Sequence, residues 1–156
     1  MNPALELRAL RGATTASANS TEAIDAAVSE LVLALMSHNR LQASQLVSVT
    51  FSVTADLDAC FPAAIARRLL AWDGVALLDC QQMAVRGDLP RCIRLLAHAW
   101  LDGQQTPVHP YLREASRLRP DRALASPSHN SVTTPAGACD PAGTVPPGPA
   151  GDPAGH

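Results

Sequence analysis

Residues 47–53 read Val47-Ser48-Val49-Thr50-Phe51-Ser52-Val53, four apolar side chains separated by three hydroxyl-bearing ones. Side chains of an extended chain alternate between faces, so this period of two predicts a strand with one buried side. Upstream, Ile24, Ala27, Val28, Leu31, Val32 and Leu35 fall at i, i+3, i+4, i+7, i+8 and i+11. That spacing predicts a helix with one apolar stripe, running to about Ser37. Asn19 with Glu22 three residues later offers its start. Working outward, Leu5, Leu7 and Ala9 alternate with Glu6 and Arg8, which predicts a strand ending at Arg11-Gly12. Asp56 to Pro62 reads as a loop that delivers Pro62 to the first turn of a helix reaching Ala71. Val75–Leu78 is a short apolar strand after an Asp73-Gly74 turn. Pro90 is expected to open a third helix with Ile93, Leu96, Ala97 and Trp100 on one face, and Ala115–Leu118 to form a last strand stopped by Pro120. The order β-α-β-α-β-α-β implies an α+β domain, a small mixed sheet covered by helices on one face.

The chain has 156 residues and a net charge of −2, and all 12 of its basic residues are Arg. This balance argues against a protein that coats nucleic acid or an anionic membrane through bulk charge. Aromatics are only 3%, so stacking platforms for bases are scarce and the core must be aliphatic. Composition changes after Arg122: residues 123–156 hold 7 Pro, 5 Gly and 7 Ala, with Asp140 and Asp152 as their only charges. A segment with so little to bury cannot offset its ordering entropy, so residues 1–122 are expected to fold and 123–156 to form a disordered Pro/Gly/Ala-rich tail. The four cysteines show no CxxC and no zinc-finger spacing, so reduced thiols and a cytoplasmic setting are expected. The first eight residues lack the pattern of a signal peptide, and Leu31–Met36, the longest apolar stretch, is too short to span a bilayer.

No GxGxxG, Walker loop, HExxH or GxSxG occurs, and the five His are scattered. No metal, cofactor, nucleophile or base announces itself. Arginine placement stands out instead: Arg11 at a strand end, Arg94 beside apolar neighbours, and Arg117 and Arg119 flanking Leu118. Guanidinium stays charged at any working pH and presents a planar fork to carboxylates, so several converging Arg suit a dianionic small molecule. The bland alternative is solvated Arg paired with the 12 acids of residues 1–122.

Four ordered segments carry a resemblance. Arg11-Gly12-Ala13-Thr14-Thr15, Thr54 to Ala63 (TADLDACFPA), Leu89-Pro90-Arg91-Cys92-Ile93-Arg94, and Tyr111-Leu112 followed by Leu118-Arg119-Pro120-Asp121 resemble the motifs of the AroH-class monofunctional chorismate mutases. The resemblance spans about residues 7–122. It implies a trimer with a barrel-like centre, sites between neighbouring chains, and the cofactor-free pericyclic rearrangement of chorismate to prephenate. It also implies roles. Arg94 would meet the ether oxygen of the substrate, and Arg11 and Tyr111 its enolpyruvyl carboxylate. Phe61, Ala63 and Leu118 would form apolar walls, and Arg67 and Arg119 a cationic rim; Leu78, Cys80 and Gln81 would complete the lining.

Two departures are visible. Ala64 stands where the family has a Lys. Asp79 and Gln82 stand where it has a Cys and a Glu that touch the ring hydroxyl. Asp79 is therefore expected to accept that hydroxyl, with Gln82 as a neutral contact; the plainer reading of Asp79 is a turn cap. A non-catalytic trimer of the same fold that binds a small carboxylate, and an imine-hydrolysing enzyme of related architecture, are the alternatives.

Overall fold

The computed structural model describes residues 4–122; the expected tail lies outside the described residues. Four strands, β1 (Leu5–Thr15), β2 (Leu46–Val53), β3 (Ala76–Gln81) and β4 (Cys92–Asp102), form one sheet in the order β1-β4-β2-β3. β4 runs antiparallel to β1 and β2, while β2 and β3 are parallel. Parallel neighbours need a crossover, and α2 (Pro62–Leu70) supplies it. The longer α1 (Thr21–His38) connects β1 to β2. The mixed sheet of an α+β fold is thus present.

The stripe of α1 is its buried set: Ile24, Ala27, Val28, Leu31, Val32 and Leu35. It joins the main core with Leu10 of β1, Val49 and Phe51 of β2, and Ile93, Leu95, Ala97, Ala99 and Leu101 of β4, while Ala13, Tyr111 and Ala115 form a second, smaller cluster. Trp72, just past α2, is fully buried in the same core. The helix begins one residue later than Asn19 suggested. Ser20 is the cap, its Oγ accepting the Ala23 N–H at 3.2 Å. Asn19 instead clamps the loop before α2. Its Oδ1 accepts the N–H groups of Asp58 and Ala59 at 3.1 Å each, and its Nδ2 donates to Asp58 at 2.7 Å.

The expected third helix is a strand. In β4 the residues Ile93, Leu95, Ala97, Ala99 and Leu101 alternate into the core, while Arg94, Leu96, His98 and Trp100 point to the other side. Ile93, Leu96, Ala97 and Trp100 match a helical period only because both faces of this strand carry apolar residues. Arg94 and His98 therefore sit on a sheet, and His98 meets Ser48 Oγ at 3.1 Å. The expected last strand is a short 3-10 helix, Arg113–Leu118. Its direction is set where Arg113 adopts φ 50°, after Tyr111 has made a single bridge to Ala13. β1 continues past Gly12 to Thr15 because β4 pairs with it as far as Cys92. β3 likewise runs on to Gln81, three residues past the expected end. Val47 leaves the alternation of β2 at an irregularity between Leu46 and Ser48, so Leu46 takes the core place.

Both helices pack on the core face, and the opposite face of the sheet is left open by the described residues. Register puts Leu7 opposite Trp100 and Arg11 opposite Leu96, with Thr50 and Leu78 continuing the row across β2 and β3. Leu5, Leu7, Leu78, Leu96 and Trp100 are all exposed there. The alternating Leu5, Leu7 and Ala9 thus mark this open face rather than the core. No helix among the described residues is long and apolar enough to cross a membrane.

Candidate active site

Register places Arg94 of β4 opposite Ala13 of β1 and Ser52 of β2, on the open face. Arg11 lies two residues before Ala13 and so shares that face. Gly12 between them faces the core, where an added Cβ would lie 3.1 Å from Leu31 Cδ1 and 3.2 Å from the Pro110 carbonyl oxygen. Its bareness lets the segment 110–112 lie against β1. Ala13 N–H donates to Pro110 at 2.9 Å, and Leu112 N–H donates to Ala13 at 2.8 Å. That brings Tyr111 beside Ala13. Arg11, Ala13, Arg94, Tyr111, Leu118 and Arg119 consequently line one small concavity of about 200 Å³.

The charges in it are differently tied. Arg94 Nη2 donates to Asp88 Oδ1 and Oδ2 at 3.0 and 3.2 Å, while its Nε–H is buried without a hydrogen-bond partner among the described residues. Arg119 grips Asp121 through two hydrogen bonds of 3.0 and 2.8 Å at the exposed rim. Arg11 makes no side-chain hydrogen bond or ion pair among the described residues. Its backbone N–H donates to His109 Nδ1 at 3.0 Å. Burial, aided by the guanidiniums of Arg122, Arg11 and Arg119, pushes the His109 imidazole below its usual pKa. A neutral ring here leaves arginine as the source of positive charge.

A second concavity, about 660 Å³, is lined by Phe61, Pro62, Ala64, Asp79, Cys80 and Gln81 among others. Phe61, the cap residue of α2, is 71% exposed, far more than a packing role would leave it. Asp79 Oδ1 accepts the Ala63 N–H in the first turn of α2 at 3.0 Å. Burial raises the Asp79 carboxyl above its ordinary pKa, a rise opposed by that hydrogen bond and by Arg67. Ala63 is buried beneath, Arg67 is exposed on α2, and Leu78 sits on the open face. Gln82 belongs to neither group directly. Its Nε2 donates to Asp88 Oδ2 at 2.6 Å and so connects it to Arg94.

The structure therefore gathers Arg11, Arg94, Tyr111, Leu118 and Arg119, and separately gathers Phe61, Asp79, Cys80 and Gln81. Two residues that hydrogen-bond to members of the first group escaped the sequence reading. Asp88 follows Gly87 and reads as an ordinary turn residue; His109 has no motif around it.

Known proteins resemble this chain over the same span. Residues 7–122 match the family model described as chorismate mutase type I. The chain belongs to that family. It is 44% identical over 117 residues to the chorismate mutase AroH of Thermus thermophilus, covering 74% of this chain and 95% of the relative. It is 34% identical over 119 residues to the chorismate mutase AroH of Bacillus subtilis (strain 168), covering 76% and 94%. Among solved structures, a chorismate mutase from Clostridium thermocellum superposes with a TM-score of 0.66 at 35% identity, covering 70% of this chain and 98% of the other.

Proposed function

We propose that residues 1–122 form an isomerase that rearranges chorismate to prephenate at sites built between three copies of the chain. The observation that carries this is Arg94: a guanidinium held on one side by Asp88, its buried Nε–H without a hydrogen-bond partner among the described residues, on a side chain that lines a concavity with Arg11 and Tyr111. In the rearrangement the ether C–O bond lengthens and negative charge gathers on its oxygen. A fixed cation aimed at that oxygen favours the transition state over the substrate. Arg11 and Tyr111 take the enolpyruvyl carboxylate and hold the compact reactive conformer. Arg119 and Arg67 draw in the dianion at the rim.

The division of the family's site residues between two concavities supports a shared site. So does the row of exposed apolar side chains on the open sheet face, which a second chain would bury. A cytoplasmic setting accords with free thiols at Cys60, Cys80 and Cys92.

The direct test is the loss of chorismate absorbance, followed for the full chain beside a chain ending at Arg122. Both are expected to turn over chorismate at similar kcat. Binding of a prephenate-like bicyclic diacid without turnover would instead favour a regulatory protein.

Asp79 is assigned the ring hydroxyl, which its second carboxylate oxygen accepts while Oδ1 caps α2. Asp79→Asn is then expected to lower kcat/KM about tenfold, the scale of one lost charged hydrogen bond. The raised carboxyl pKa sets a sign. Activity that needs the ionised form falls away on the acid side at a higher pH than an ordinary aspartate would give, and this limb vanishes in the Asn variant. Stability has the opposite sign. A carboxyl whose folded pKa is raised opposes folding once ionised, so Asp79→Asn is expected to melt no earlier than the native chain at neutral pH. An unchanged kcat/KM would remove Asp79 from the site and leave it as a helix cap.

A further inference from the structure

The loop between β3 and β4 puts a carboxylate where the sequence signalled none. We infer that Asp88 is a positioning residue for the rearrangement, fixing the Arg94 guanidinium for the substrate, and that Gln82 is its matched partner; this rests on the mutase reading above. Asp88 Oδ1 accepts from Arg94 Nη2 at 3.0 Å and from the Leu89 N–H at 2.8 Å. Asp88 Oδ2 accepts from Arg94 Nη2 at 3.2 Å and from Gln82 Nε2 at 2.6 Å. Each carboxylate oxygen thus has a second donor that holds it in place. The side chains of Arg94 and Asp88 are 30% and 20% exposed, so the pair is largely shielded from screening by solvent.

The geometry divides the guanidinium. Asp88 occupies Nη2 and leaves Nε–H buried and without a hydrogen-bond partner among the described residues. An arginine side chain otherwise has several rotatable bonds to restrain on binding; anchoring one nitrogen to a rigid carboxylate removes much of that freedom beforehand. The arrangement has an opposing cost, because a carboxylate beside the site repels a dianion. Asp88 therefore raises turnover rather than affinity. Gln82 must be an amide for this to work. A carboxylate at 82 would face Asp88 across 2.6 Å, and two like charges at that distance cannot both ionise comfortably.

Four chains test this: native, Asp88→Asn, Gln82→Glu and the double exchange, with steady-state kinetics on chorismate and circular dichroism to confirm the fold. Asp88→Asn is expected to lower kcat about ten- to a hundredfold, the cost of a misplaced catalytic group. Its KM is expected to hold or fall, because the lost charge has the sign of the substrate; general damage to the site would raise KM instead. Gln82→Glu alone is expected to lose kcat through repulsion. The double exchange returns one carboxylate and one amide to the pair, with the hydrogen bond reversed, and is expected to recover kcat to within a few-fold of native. If Asp88→Asn does not fold, the double exchange decides alone. Asp88→Asn within twofold of native kcat, or a double exchange no better than the worse single one, overturns the inference. A native chain without turnover overturns the mutase reading itself, before any variant is compared.

Discussion

Exchanging Arg94 for citrulline, which keeps the shape of the side chain and removes its charge, is expected to lower kcat about a thousandfold or more. Removing one preorganised donor to a developing oxyanion costs about a hundred- to a thousandfold, and here a full charge goes with it. A thousandfold corresponds to about 4 kcal/mol of lost transition-state stabilisation. The position explains why compensation is poor. Arg94 projects from the sheet between Ala13 and Ser52, and Arg11 and Arg119 approach the same concavity from other elements. Both start from other backbone positions, Arg11 on β1 and Arg119 paired with Asp121 at the rim, so neither presents its guanidinium from the place that Arg94 vacates. Arg94→Lys is expected to fare little better. Its compact ammonium keeps the charge but not the fork, and Asp88 would hold it as a simple ion pair. KM is expected to change far less than kcat, because the interaction strengthens only as the ether bond opens. The measurement is the initial rate of chorismate loss at saturation. A drop smaller than tenfold with citrulline would take the ether oxygen away from Arg94.

How much of this was readable beforehand depended on how much of each signal was local. The helix stripe Ile24 to Leu35 was legible because six apolar side chains keep the helical spacing without a break, although Leu33 lies exposed off the stripe. Pro62 in the first turn of α2 was legible because proline fits there and in few other helical places. β4 mimics a helix in sequence because it is apolar on both sides. Ile93, Leu96, Ala97 and Trp100 satisfy a helical period while also belonging to two opposite faces of a strand. A strand that is apolar on both sides belongs to a sheet that expects cover on both. In the site, Arg11, Arg94 and Tyr111 were legible through motifs. Asp88 was not, because its role lies in its distance to Gln82 and Arg94, six residues away on either side of a turn. His109 was hidden for the same reason, its partner Arg11 lying 98 positions away in the chain.

That uncovered sheet face leads to the second large effect. Trp100→Glu is expected to convert the proposed assembly of three 16.3 kDa chains, about 49 kDa, into single chains that retain their circular dichroism and lose at least a hundredfold in kcat/KM. Trp100 is 44% exposed in the isolated chain and stands opposite Leu7, itself exposed, so a carboxylate there costs the lone chain little. Buried against a second chain without a partner, the same carboxylate costs several kcal/mol, enough to undo the contact. Activity follows if the concavity around Arg94 and the one around Phe61 and Asp79 face each other only across two chains. Complementation separates that reading from simple damage. An Arg94→Ala chain and a Phe61→Asp chain, each inactive alone, are unfolded together and refolded as a mixture. In a ring of head-to-tail contacts, random mixing gives about a quarter of the sites an intact half from each partner, and activity should return to about that fraction of native. A site contained within one chain can recover nothing by mixing, because every chain then carries its own defect. Light scattering after gel filtration reads the assembly and chorismate loss reads the sites. A native chain that elutes near 16.3 kDa while turning over chorismate would place the whole reaction on a single copy.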